Sequence, residues 1–294
     1  MKTLVSFLLA FLLLAAPAEA TWPGQNGAIA FARNTNIWLG LPWGDQLQLT
    51  QGPGADAEPT YSRDGHKIAY VHHDNHGSEI WVMRSDGTGL RPVTDEVEGT
   101  FESQPAFFPS GRSLAFVART ATGITVFSIK LDGTGLRPLA QQAKNPAISP
   151  DGRLLAFSEF PGNRLRLKDL RSGAERQLPS GNAQEPDFSP DGKRLVFVGQ
   201  RPCGTRLHQR LSILTIGLHD AGPRMLFRAC RSNFLPYSPV WAPRGNQVLF
   251  VRRDDPQKPT ATSRLQLLNL RGQLVAGAPR HRTGELSPSW QPLR

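Results

Sequence analysis

Eight oxygen-bearing side chains stand just ahead of a phrase that recurs along the chain: Asp56, Glu58, Glu102, Gln104, Asn145, Asn182, Glu185 and Glu285. Carboxylates and amides converging from several repeats can hold a hard cation such as Ca2+ through oxygen ligands. They can equally accept hydrogen bonds from a partner's basic segment, or simply tie neighbouring repeats together and solvate a channel. No local loop carries dedicated Ca2+-ligand spacing, so all three uses stay open. The eight are taken as a binding ring at a channel mouth.

Other candidates are weaker. His72-His73-Asp74-Asn75-His76 is rich in metal-ligating types, but structural zinc sites gather four ligands at established spacings. Three histidines on a hairpin tip read as solvated loop. There is no Gly-X-Ser-X-Gly elbow, no His-Glu-X-X-His and no phosphate-gripping glycine loop. No catalytic residue is assigned. The enzymatic alternative is a metal-dependent hydrolase, lactonase- or esterase-like, working in the channel.

The recurring phrase must position these groups. It reads Pro, any residue, a bulky apolar residue, then usually Ser-Pro-Asp-Gly and an apolar run. Copies begin at Pro59, Pro105, Pro146, Pro186, Pro239 and Pro288, separated by 46, 41, 40, 53 and 49 residues. Such a period, dense in short strands, signals a propeller or solenoid. Proline cannot donate to a ladder, so Pro-X-aromatic opens a first strand. Gly65, Gly111, Gly152, Gly192 and Gly245 then supply a tight turn. Runs such as Ile68-Ala69-Tyr70-Val71 and Leu195-Val196-Phe197-Val198 are apolar on successive residues, which predicts second strands covered on both faces. A more alternating third strand and a polar fourth complete each unit.

Four antiparallel strands per unit predict an all-β, six-bladed β-propeller over residues 21–294. The first unit opens directly on Ile29-Ala30-Phe31-Ala32, and the last copy stops after Pro288-Ser289-Trp290. These halves are complementary, so N- and C-terminal strands are expected to share one blade. Trp38, Trp81 and Trp241 are expected at equivalent strand positions, packing between blades. Blade five carries the longest loop and the only two cysteines, Cys203 and Cys230. The topology puts both at one end, and a disulfide is expected in an oxidising compartment.

Residues 1–20 combine basic Lys2, an apolar stretch from Leu4 to Ala16 and a small-X-small ending at Ala18-Glu19-Ala20. That is the pattern of a cleaved secretory signal, so a periplasmic or secreted protein is expected, with no later membrane span. The formal charge of +10 suits anionic partners or surfaces but steers rather than specifies. Without aromatic-basic motifs, nucleic acid is not among the expected partners.

Pro-Asp-Phe-Ser-Pro-Asp-Gly-Lys-Arg-Leu-Val-Phe at 186–197 and Ile-Trp-Val-Met-Arg-Ser-Asp-Gly-Thr-Gly-Leu-Arg-Pro-Val-Thr at 80–94 resemble the repeats of TolB-type six-bladed propellers. Proteins of that type work in the envelope-spanning Tol-Pal system and bind a peptidoglycan-associated lipoprotein at the propeller mouth. The resemblance covers the propeller alone; the extra N-terminal domain of TolB is expected to be missing. It implies a non-enzymatic scaffold, monomeric, for a protein or other cell-envelope component.

Overall fold

The computed structural model describes residues 25–41, 44–95, 100–121, 123–203, 206–229, 234–254, 262–278 and 286–293. The expected signal segment 1–20, Glu285, Cys230, Trp22 and Trp43 lie outside them, as does the side chain of Cys203. Among the described residues every regular element is a strand. None is a helix long and apolar enough to cross a membrane.

The chain runs as successive antiparallel meanders. β1 (Gln25–Arg33), β2 (Asn36–Gly40) and β3 (Gln46–Gln48) come first. Then follow β4 (Ala55–Tyr61), β5 (Lys67–His73), β6 (Ser78–Arg84) and β7 (Arg91–Pro92). The next meander is β8 (Phe101–Phe107), β9 (Ser113–Thr120), β10 (Gly123–Lys130) and β11 (Arg137–Gln141). After it come β12 (Ala143–Ile148), β13 (Leu154–Glu159), β14 (Leu165–Asp169) and β15 (Glu175–Gln177). β16 (Ala183–Phe188), β17 (Arg194–Cys203), β18 (Arg206–Gly217) and β19 (Arg224–Arg228) form the following one. The last comprises β20 (Phe234–Trp241), β21 (Gln247–Asp254), β22 (Ser263–Asn269) and β23 (Leu274–Val275), before β24 (Leu286–Leu293).

β24 returns to pair antiparallel with β1, placing Trp290 opposite Ile29. The N- and C-terminal strands therefore share a sheet in the order β24-β1-β2-β3. First strands touch in sequence: β24 with β4, β4 with β8, β8 with β12, β12 with β16, β16 with β20, and β20 with β24. That circuit gives a propeller-like arrangement around a central axis.

Five hydrogen-bonded sheets result, four of four strands and one of eight, rather than six separate ones. The eight-stranded sheet joins the meanders β4–β7 and β8–β11 through one parallel pair, Ser78 with Phe101. The Ser78 hydroxyl reinforces that junction by donating to the Glu102 carbonyl and accepting from the Glu102 N–H, both at 2.8 Å.

The core lies between successive meanders. Leu165 and Leu167 pack with Phe188, Leu195, Phe197, Leu214 and Ile216 in one cluster. Ile29, Phe31 and Trp290 pack with Leu249, Val251 and Leu265 in another. Second strands supply the most buried side chains, including Ile68, Phe116, Leu155, Phe197 and Phe250. Each lies between two sheets, so no polar residue can alternate there; full burial of one such side chain contributes about 1.5–3 kcal/mol. Outer strands such as β15 are exposed at every residue. Trp38 and Trp81 occupy matching third-strand positions in β2 and β6, but Trp241 ends a first strand, β20. Its counterparts are Tyr61, Phe107, Ile148, Phe188 and Trp290, so the expected equivalence of the three tryptophans does not hold.

Three of the described turns between first and second strands, those at Ser62, Ser149 and Ser189, share one construction. The Ser189 hydroxyl donates to Asp191 Oδ1 at 2.6 Å and accepts the Arg194 N–H at 2.9 Å. Ser149 and Ser62 repeat this with Asp151 and Leu154, and with Asp64 and Lys67. Gly192 takes φ 69°, a conformation that strains any side chain, and a Cβ there would sit in contact with Pro150 Cδ of the preceding turn at 3.4 Å. Gly152 meets Pro109 in the same way. The repeated Ser-Pro-Asp-Gly thus closes a hairpin and packs each hairpin on its neighbour.

Candidate functional site

Each first strand carries an irregularity at its proline. Register shifts fall between Ala57 and Thr60, Ser103 and Ala106, Lys144 and Ala147, Gln184 and Asp187, and Tyr237 and Val240. The residue before each proline adopts a left-handed conformation: Glu58 (φ 52°), Gln104 (55°), Asn145 (52°), Glu185 (56°), Ser238 (45°) and Ser287 (48°). A side chain at positive φ next to proline is unfavourable, costing about 1–3 kcal/mol each. Neighbouring strands hold all six in place, and all six line one central cavity of about 300 Å3.

Ties between adjacent first strands fix these side chains. Glu58 Oε2 accepts the Gln104 N–H at 2.6 Å, and Gln104 Oε1 accepts the Asn145 N–H at 2.7 Å. Glu185 Oε2 accepts the Ser238 N–H at 2.7 Å. Two residues further along, Asp187 Oδ2 accepts the Trp241 N–H at 2.8 Å, and Ser289 Oγ accepts the Tyr61 N–H at 2.9 Å. The cavity therefore has a polar upper layer and a mixed lower one of Thr60, Ala106, Ala147, Asp187, Val240 and Ser289. At the turn end the Arg63 guanidinium reaches past the β8 meander to donate to the Pro150 carbonyl at 2.6 Å. It lies as a chord across that end of the channel.

Burial pushes the carboxyl groups upward. Desolvation raises Glu58, partly offset by the Gln104 N–H. It also raises Glu185; the Ser238 N–H and Lys144 oppose the rise, and the charge of Glu58 adds to it. Asp187 is pushed up to about 7 by burial, against hydrogen bonds from the Trp241 and Phe188 N–H groups. β4 and β16 stand three places apart in the circuit of six first strands, so Glu58 and Glu185 face each other across the axis.

The structure brings together Glu58, Gln104, Asn145 and Glu185 from the eight-residue ring, and places three others elsewhere. Asp56 pairs with His72 Nδ1 at 2.7 Å. Glu102 is buried beside β6, accepting the Ile80 N–H at 3.2 Å and the Thr94 hydroxyl, and burial pushes its carboxyl up to about 7. Asn182 donates to Gln200 Oε1 at 3.2 Å. Two-residue periodicity suggests that Asp56 and Glu58, or Glu102 and Gln104, share a face, but the bulge between them breaks that relation. Ser238 and Ser287 complete the upper layer; the signal that finds them is the position immediately before each repeated proline.

The histidine cluster does not converge. Asp74 accepts the His76 and Gly77 N–H groups in a turn, while the His72 ring lies tilted against Trp81, centroids 5.2 Å apart. Among the described residues no group of three or more His, Cys, Asp or Glu side chains is placed to hold a metal ion.

A family model described as the TolB beta propeller domain matches residues 28–179, just over half of the chain. The chain belongs to the TolB beta propeller domain family. Solved structures agree on the fold. TolB from Acinetobacter baumannii superposes with a TM-score of 0.75 at 17% identity, over 90% of this chain and 67% of that one. A putative TolB from Agrobacterium tumefaciens gives 0.66 at 17% identity, over 91% of each chain. A chain of a nidogen/laminin complex gives 0.65 at 11% identity, over 90% of this chain and 98% of that one. Among curated proteins no relative matches. At these identities the likeness to solved structures speaks for the fold alone.

Proposed function

We propose that the protein is an exported six-bladed TolB-like propeller acting as a non-enzymatic binding scaffold, monomeric, for a protein or other component of the cell envelope. Six blades follow from dividing the eight-stranded sheet at its one parallel pair, which leaves two complete four-stranded meanders. Export follows from the signal pattern of residues 1–20, and in that compartment Cys203 and Cys230 would staple the long hairpin of blade five.

The observation that carries the binding reading is the channel's upper layer. Six residues share one backbone position and one conformation, yet their types are Glu, Gln, Asn, Glu, Ser and Ser. A scaffold that fixes the backbone and varies the side chains at a concave mouth is suited to recognition. The formal net charge of +10 sets encounter rate with anionic partners, while central contacts set affinity.

The test is affinity capture from envelope extract, against an unrelated protein of similar basicity. Retention of a partner on this protein alone is expected. Equal retention by the basic control would sink the reading. Turnover of lactones or esters that depends on added metal would move the assignment to a hydrolase.

A further inference from the structure

The channel is small, closed at one end by a cation and flanked by carboxylates with spare acceptor capacity. We infer that it is a socket for a single lysine or arginine side chain, presented by the partner and inserted from the mouth between Glu58 and Glu185. The inference rests on the scaffold reading above and names the chemistry of its partner.

Geometry supports it in three ways. First, each inter-blade tie uses one oxygen of Glu58 and Glu185, Oε2 in both cases, and among the described residues the other oxygen has no hydrogen-bond partner. These acceptors face each other across the axis, with Asp187 one layer below. Secondly, the walls between them are the apolar Pro59, Ala106, Ala147 and Val240, which suit a methylene stem carrying a terminal charge. Thirdly, about 300 Å3 is at the lower limit for small-molecule pockets, so one side chain fits where a larger ligand does not. Arg63 at the turn end repels a second positive charge and so limits the depth of insertion.

The protein's formal net charge of +10 opposes free cations and favours anionic partners. A partner acidic overall but carrying one basic residue at its contact point satisfies both fields.

The experiment uses the purified protein and two blocked peptides, acetyl-Gly-Gly-Lys-Gly-Gly-amide and its norleucine counterpart, which keeps the stem and removes the charge. Intrinsic fluorescence reads the site, because Trp241 and Trp290 line it. The lysine peptide should bind roughly tenfold or more tightly than the norleucine peptide, and Glu58→Gln with Glu185→Gln should abolish that difference. Glutamine keeps an acceptor for each inter-blade tie, and an unchanged melting temperature in the double variant verifies the fold. Equal binding of both peptides, or unaltered lysine binding in the double variant, overturns the inference. Displacement of the peptide by Ca2+ at lower concentration than the peptide itself also overturns it, in favour of a hard ion. Capture of the envelope partner separates this inference from the scaffold reading. A partner still held by the double variant ends the socket alone; no partner despite lysine binding ends the scaffold reading.

Discussion

The two ends of the central channel are built on opposite principles. At the turn end the same residues recur: Ser149, Asp151 and Gly152 are repeated by Ser189, Asp191 and Gly192, with the same hydrogen bonds and the same proline contact. At the mouth only the backbone recurs, and the six left-handed positions carry four residue types. Repetition at one end marks what the ring needs to stand. Variation at the other marks where the chain is free to specify a ligand.

That contrast breaks most readily at Gly65. Its φ is 71°, and a Cβ would lie 2.6 Å from the Pro292 carbonyl of the closing strand. Gly65→Val should lose about 3 kcal/mol or more, measured by urea denaturation. A loss under 1 kcal/mol, by the same standard, would mean that the turn end is not the rigid half.

The mouth end should reveal itself through pH. Asp187 keeps its proton to about 7 in the folded protein, whereas the unfolded chain gives it up near 4. Between those values raising the pH favours unfolding. Thermal melting from about pH 5 to pH 8 should show a falling contribution that Asp187→Asn removes. A variant whose profile parallels the parent's would contradict a buried, proton-retaining Asp187.

Smaller effects sharpen the difference. Ser189 is fully buried, and its hydroxyl both donates and accepts. Ser189→Ala should cost about 1–2 kcal/mol, with the Arg194 N–H left unsatisfied. Glu58→Gln should change stability by less than about 0.5 kcal/mol, because the amide oxygen can still accept the Gln104 N–H. Denaturation midpoints for the two variants, compared directly, test whether the turn serine outweighs the mouth carboxylate.

Much of the framework could be read from residue order. Pro-X-aromatic located the first strands, and continuous runs such as Ile68-Ala69-Tyr70-Val71 located the strands buried on both faces. The complementary halves around Ile29 and Trp290 located the closure. The site was legible only in part, since Asp56 and Glu102 carry the same chemistry as Glu58 and differ from it by a bulge that no two-residue period reports. Ser238 and Ser287 carry no charge to draw attention, and only their place before a proline marks them. The parallel pair that fuses two meanders depends on Ser78 meeting Phe101, a long-range contact with no local signal.

The pairing of β24 with β1 also bears on assembly. Trp290 buries its ring with Ile29 and Phe31 and donates its indole N–H to the Gly27 carbonyl. Until residues 286–293 arrive, the inner edge of β1 has no neighbour and the circuit of sheets stays open. The slowest contact to form in sequence separation is therefore also the one that locks every other, so the protein should resist unfolding by pulling until its last strand is peeled away.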